Sequence, residues 1–194
     1  MGFGDDFNSG SSAGSVAGIV LVARGDERIP AGESDVPGVE RLMAAVSSLG
    51  AGGCDSVYVA LGARVVPAPD TISTTLYLPE WYDSLDACVR AALSFVDQHP
   101  ALDGAVLQTL DSPDPGPSAV SRVLAVAAQG PNTICRAEFA GKPAQPVYLG
   151  ADRIREAIEQ AGAGLTTVRY LIDHRNDVVG VDCTDLGNPA NSVL

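Results

Sequence analysis

Short apolar runs alternate with amphipathic helix patterns along nearly the whole chain, and this alternation restricts the fold more than any other feature. The segment Ser15-Val-Ala-Gly-Ile-Val-Leu-Val22 is an almost unbroken apolar run, as expected of a strand covered on both faces of a parallel sheet. It empties into Ala23 to Ser34, which is polar and punctuated by Gly and Pro. Val39, Leu42, Met43, Val46 and Leu49 then recur at steps of three and four, predicting a helix that ends at Gly50 and the Gly52-Gly53 pair. Further strands are predicted over Ser56–Leu61, Thr74–Leu78, Gly104–Leu110, Thr133–Phe139, Pro146–Leu149 and Val178–Cys183, with a turn at Gly141-Lys142-Pro143. Between them fall four more helices. One is capped near Asp83 or Ser84 and carries Leu85, Cys88, Val89, Ala92, Leu93 and Val96 on one face. One starts near Pro117 and carries Val120, Val123, Leu124 and Ala127; the others are Ala151–Ala161 and a short piece near Thr166–Asp173.

Strand and helix alternating in this way imply an α/β chain with a mostly parallel sheet covered on both faces, a three-layer α/β/α, Rossmann-like arrangement. Residues 15–194 are expected to form one domain, and the Gly-, Ser- and Asp-rich residues 1–14 a flexible tail. In such open sheets ligands bind beyond the carboxyl ends of the strands. Two loops are thereby singled out, Ala23 to Ser34 after the first strand and Asp111 to Pro117 after the fourth.

Composition narrows the partners. Although 46% of residues are hydrophobic, no run approaches the roughly 18 apolar residues that span a bilayer. The first residues also lack the basic start and apolar segment of a signal peptide, so a cytoplasmic protein is expected. Twelve Lys and Arg against 24 Asp and Glu leave a net charge of -12, which repels nucleic acid and anionic membranes; neither is expected as a partner. A small phosphorylated ligand stays compatible, because backbone N–H groups and one or two local cations can hold phosphate. Cys54, Cys88, Cys135 and Cys183 form no C-x-x-C pair, and His99 and His174 are the only histidines. Buried free thiols are therefore expected rather than a zinc cluster, and neither histidine has catalytic companions in the nearby sequence.

Four ordered stretches carry a resemblance. They are Leu21-Val-Ala-Arg-Gly-Asp-Glu-Arg-Ile-Pro-Ala-Gly-Glu33, the segment Pro79-Glu-Trp-Tyr-Asp-Ser-Leu-Asp-Ala-Cys-Val-Arg-Ala-Ala-Leu93, the strand end Leu110-Asp-Ser-Pro113, and Arg136-Ala-Glu-Phe-Ala-Gly-Lys-Pro-Ala-Gln-Pro-Val-Tyr-Leu-Gly150. Together they resemble the MobA-like nucleotidyltransferases, the family of the molybdenum-cofactor guanylyl- and cytidylyltransferases, over most of residues 16–194. The family's counterparts read L-A-A-G-x-G-x-R-M-G-x-x-K, N-P-x-W-x-x-G-M-x-x-S-L-R-A-G-L, D-Q-P or D-T-P, and R-x-x-Y-x-G-x-P-G-H-P-V-x-L-G.

The resemblance implies a sheet of the nucleotide-diphospho-sugar transferase type and transfer of a nucleoside monophosphate from a triphosphate to a small phosphorylated acceptor, with Mg²⁺ as cofactor. On that reading Asp111 and Arg28 are catalytic, Asp111 as a metal ligand and Arg28 as a phosphate clamp. Val22, Ala23, Arg24, Gly25 and Arg28 would line the nucleotide, and Trp81, Arg90 and Gln145 the acceptor. The family's second metal ligand falls near Gly187 to Leu194, where Asn191 is the nearest candidate. Taken without the resemblance, Asp111 caps the turn before Pro113, Arg28 and Arg90 are solvated arginines, and Trp81 with Tyr82 anchors the edge of the core. The chain also departs from the family. Arg24, Asp26 and Pro30 fill glycine positions, Glu33 stands at the lysine, and Gln145 replaces the hairpin histidine. A carboxylate at position 33 would repel a triphosphate. Two expectations follow: a working transferase, or a catalytically inactive homologue acting as a binding or regulatory partner, with a protein partner or homodimer open in either case.

Overall fold

In the computed structural model, which describes residues 14–22, 36–61, 72–77, 85–110, 112–162 and 167–187, the first apolar run forms β1 (Ser15–Val22). There follow α1 (Val36–Ala51), β2 (Ser56–Leu61), β3 (Thr74–Tyr77), α2 (Leu85–Asp97), β4 (Leu102–Thr109) and α3 (Pro117–Ala127). The second half holds β5 (Ile134–Phe139), β6 (Lys142–Gly150), α4 (Ala151–Gly162), α5 (Thr167–Asp173) and β7 (Val178–Asp182), with a 3-10 turn at Thr184–Leu186. All seven strands join one sheet in the order β3-β2-β1-β4-β6-β5-β7, and only β6 runs against the others. This is the expected α/β/α architecture. Among the described residues no helix is long and apolar enough to cross a membrane.

Side chains of a strand alternate between faces, and each face of this sheet has its own core. Val20, Val59 and Val106 pack with Leu42, Val46 and Leu49 of α1 and Val120 and Val123 of α3. Ile19, Leu21, Ala105 and Leu107 pack on the other face with Val89, Leu93 and Val96 of α2, Ile154 and Ala157 of α4, and Tyr170 of α5. Fully burying each aliphatic side chain contributes about 1.5–3 kcal/mol, so these two layers supply most of the driving force. Cys54, Cys88, Cys135 and Cys183 are buried free thiols within them. Burial pushes Cys54, beside Asp55, and Cys135 up to about 12, so both stay protonated near neutral pH.

Two details differ from the sequence pattern. The buried stripe of α1 is Leu42, Ala45, Val46, Ser48 and Leu49, whereas Val39 and Met43 are each 39% exposed. Small residues explain the rotation: a Cβ on Gly52 would lie 2.5 Å from Val120, so the end of α1 closes directly onto α3 and turns Ala45 and Ser48 inward. The hairpin after β5 turns one residue early, at Ala140-Gly141, whose φ values of 52° and 71° suit a two-residue connection. As a result β6 begins at Lys142, and the strand expected over Pro146–Leu149 is longer.

At the amino-terminal edge of the sheet α4 and α5 are joined through Glu156. Its carboxylate accepts from Tyr170 Oη at 2.8 Å, Arg153 Nη1 at 3.0 Å, Gln160 Nε2 at 3.2 Å and, when that nitrogen is protonated, His174 Nε2 at 3.2 Å. Arg153 also donates to Asn132 O and Asp177, which precede β5 and β7. His174, solitary in the sequence, thus has companions brought from α4. Burial would raise the Glu156 carboxyl, but the hydrogen bonds from Tyr170 and Arg153 and the charges of His174 and Arg153 outweigh it and hold the group below its ordinary value of 4.5. A carboxyl lowered on folding adds stability that is present above its unfolded value and is lost as pH falls through the folded one. The melting temperature of Glu156→Gln is therefore expected to lie below that of the parent near neutral pH, and the gap to close below about pH 4. A gap that stays constant across a pH series of thermal melts would count against this linkage.

Candidate active site

The sheet delivers two chain segments to one place. β1 and β4 are parallel neighbours with Leu21 opposite Thr109, and one step further Leu110 N–H donates to Leu21 O at 3.0 Å. Val22, half-buried, and Leu110 therefore leave the carboxyl edge side by side, as the crevice expected of such a sheet requires.

Beyond β4 the chain is gripped from two sides. Asp114 stands on the α1 and α3 side, and its carboxylate accepts from Ser48 Oγ at 2.7 Å, Gln108 Nε2 at 3.2 Å and Gly116 N at 3.2 Å. Gln108 is 1% exposed, a buried amide in the middle strand, and its Oε1 has no partner. Asp114 gives that amide its one side-chain hydrogen bond among the described residues and places negative charge just before α3, where the helix dipole favours it. Gly116, at φ 76° before Pro117 in the first turn of α3, takes a conformation that suits glycine. On the β6 side Gln145 Oε1 accepts from Thr109 N at 2.6 Å, while its Nε2 donates to Thr109 Oγ1 at 2.9 Å. Thr109 Oγ1 lies 2.9 Å from Ser112 Oγ, and Ser112 N donates to Thr109 O at 3.2 Å.

Of the residues singled out in the sequence, Val22, Arg90 and Gln145 are described, and the first and last flank the end of β4. Arg90 is partly buried on α2, the helix that leads into β4. Ala23, Arg24, Gly25, Arg28, Trp81, Asp111 and Asn191 lie outside the described residues, as do Glu33, Leu78, Tyr82, Asp83 and Ser84. Ser48, Gln108, Thr109 and Asp114 belong to the site but were not singled out. Asp114 had a signal, being the second acid of Asp111-Ser-Pro-Asp114. Ser48 and Gln108 had only their polarity at positions of an apolar pattern.

Whether the described residues suit a divalent metal can be read from their acids. No three His, Cys, Asp or Glu side chains among them converge as a metal site. Both oxygens of Asp114 are taken up by protein donors; both oxygens of Asp185 accept from Arg122, at 2.5 and 2.9 Å, and Asp182 Oδ1 accepts from Thr184 N and Oγ1.

Solved structures share the fold at low identity. The Rv0371c protein of Mycobacterium tuberculosis H37Rv, crystallised with manganese, superposes with a TM-score of 0.59 at 19% identity, covering 88% of this chain and 90% of its own. A nucleotidyl transferase from Methanothermobacter thermautotrophicus gives 0.63 at 15%, covering 90% and 88%. The 4-diphosphocytidyl-2C-methyl-D-erythritol synthase of Anaerococcus prevotii gives 0.64 at 9%, covering 89% of each chain. No family model and no curated protein matches the chain. The sheet and its flanking helices are those of the nucleotide-diphospho-sugar transferase fold.

Removing the Asp114 carboxylate would leave the Gln108 amide buried without a partner among the described residues, at a cost of about 1–3 kcal/mol. Urea unfolding of Asp114→Ala is expected to show a loss in that range. Asp114→Asn, which keeps one acceptor oxygen, should lose less.

Proposed function

We propose that this chain is a nucleotidyltransferase-type domain that moves a nucleoside monophosphate from a nucleoside triphosphate to a small phosphorylated acceptor, in the manner of the MobA-like enzymes. The carrying observation is the parallel β1–β4 pairing, which brings Val22 and Leu110, the described residues that precede the Ala23–Ser34 stretch and Asp111 in the sequence, side by side to the carboxyl edge of the sheet. Neighbours of the same fold that are themselves a nucleotidyl transferase and a diphosphocytidyl-methylerythritol synthase support this chemistry.

An oxygen of the acceptor attacks the α-phosphorus, the bond from that phosphorus to the β-phosphate bridging oxygen breaks, and pyrophosphate leaves with the electron pair. Negative charge grows on the phosphate oxygens, and the chain's part is to position and stabilise it. Arg28 is given the phosphate oxygens, as a cation of fixed charge with planar donors. The backbone from Val22 to Gly25 is given the remaining contacts to the triphosphate, and Trp81 and Arg90 the acceptor. A divalent ion, Mg²⁺ or the Mn²⁺ carried by the mycobacterial neighbour, would neutralise charge between the phosphates. Asp111 would hold it, with Asn191 as a weaker second ligand.

A second reading is favoured by the loop itself. Arg24, Asp26 and Pro30 remove the glycines that let backbone N–H groups approach phosphate, and Glu33 reverses the charge of the family's lysine. On that reading the domain is a silent relative that binds or regulates a protein partner.

Pyrophosphate release separates the two. The full chain is mixed with CTP, GTP, ATP or UTP, Mg²⁺ and a panel of phosphorylated acceptors including molybdopterin. A transferase releases pyrophosphate with at least one pair, and Asp111→Asn lowers the rate about 100-fold or more. Neither release nor a thermal shift with any triphosphate at millimolar concentration would replace it with the silent reading.

A further inference from the structure

We propose that Gln145 is a positioning residue for this site: its carboxamide takes the place of the strand partner that β4 lacks at Thr109, and so fixes the end of β4 through Thr109 and Ser112. The inference rests on the function proposed above for Asp111.

The β4–β6 ladder runs from Gly104 opposite Gly150 to Leu107 opposite Val147. Carried two steps on, the register would set Thr109 against Gln145, with Pro146, which has no N–H, in between. There the side chain replaces the main chain. Oε1 of Gln145 accepts the Thr109 N–H at 2.6 Å, and its Nε2 donates to Thr109 Oγ1 at 2.9 Å. The amide orientation is fixed by chemistry, because a backbone N–H can only donate and must face the oxygen.

Thr109 Oγ1, which accepts from Nε2, also shares a hydrogen bond with Ser112 Oγ, 2.9 Å away. Each bond in such a series polarises the next. Ser112 N also returns to Thr109 O, and Leu110 N reaches across to Leu21 O. Leu110 and Ser112, on either side of position 111 in the sequence, are therefore each held in a turn that closes on Thr109. Shifting a catalytic carboxylate by about 1 Å can cost a large factor in rate, which makes the anchoring of this turn functionally costly to lose. Gln145 meets the geometry because one planar group supplies an acceptor and a donor to a single residue. Alanine supplies neither. The same engagement makes anchoring, rather than the acceptor contact expected from sequence, the part assigned to Gln145.

The test compares the full-length parent with Gln145→Ala, Thr109→Val and the double variant in two measurements. The first is amide hydrogen exchange by NMR. Gln145→Ala is expected to speed exchange at Thr109 and Ser112 about tenfold while leaving Val106, in mid-strand, at the parent rate. The second is pyrophosphate release with the triphosphate that the parent uses. Here kcat is expected to fall about tenfold with KM changed less than about twofold, and the double variant to be no slower than Gln145→Ala, because both single changes break one coupled unit. Parent-like exchange at Thr109 in Gln145→Ala, or rate losses that multiply in the double variant, would overturn the positioning role while leaving the transferase standing. A parent that neither shifts with any triphosphate nor releases pyrophosphate would instead overturn the transferase and this role with it. Because Thr109→Val keeps the backbone N–H, it provides a second route to the same bonds should Gln145→Ala unfold, in which case loss of the Oγ1 bond alone must speed Ser112 exchange.

Discussion

The parallel pairing of β1 with β4 is the contact on which the rest of this molecule depends. Both strands are buried on both faces, so each helix layer has the same two strands as its floor. A Cβ on Gly18 would lie 3.1 Å from Leu49 and from the Cys54 sulfur, so a bare backbone there lets α1 settle onto β1. Once these layers close, the exits of β1 and β4 have no freedom relative to one another. Leu110 N–H to Leu21 O is the last bond of the ladder and the first of the site.

Where the ladder ends, side chains take over its work. Backbone and amide groups that leave a sheet while still partly buried need partners, and an unpaired one costs more than a typical hydrogen bond returns. On one flank Asp114 collects Ser48, Gln108 and the Gly116 N–H; on the other Gln145 takes Thr109. The first set ties α1, β4 and the start of α3 to one carboxylate. The second ties β4 to β6 past a proline. Fold and candidate site share these residues, so a change in the core at Ser48 or Gln108 is also a change at the strand exit.

The layers were legible in the sequence because they rest on periodicity. The apolar stripe Cys88, Val89, Ala92, Leu93 and Val96 of α2 is buried as read, and the run Ser15–Val22 is a strand with the bounds expected. Periodicity is silent where small residues set the approach, which is why Val39 and Met43 stand outside the α1 stripe. The site was legible as a place, the carboxyl edge between two loops, but less so as a set of residues. Ser48 lies 66 residues before its partner Asp114 and Gln145 lies 36 residues after Thr109, and hydrogen bonds at such separations leave no local pattern. His174 shows the same from the other side: its partner Glu156 lies on a different helix, so the sequence around it looked empty.

The net charge of -12 bears on polymers far more than on a ligand in this crevice. Several acids, among them Asp97, Asp152, Glu156 and Asp177, lie in ion pairs with Arg153 or Arg155 around α4. Glu156 and Asp177 belong to the amino-terminal edge, and β1 with its eight residues separates that edge from the crevice by roughly 25 Å, more than twice the Debye length in ordinary salt. Near the carboxyl edge the described acids are compensated in different ways. Arg122 matches Asp185 with a formal charge and also donates to Asp182 O, Thr184 donates twice to Asp182, and α3 presents its dipole to Asp114. A nucleic acid or membrane, touching many Debye lengths of surface at once, meets the whole imbalance. A small ligand meets only the charges that lie within about one such length of it.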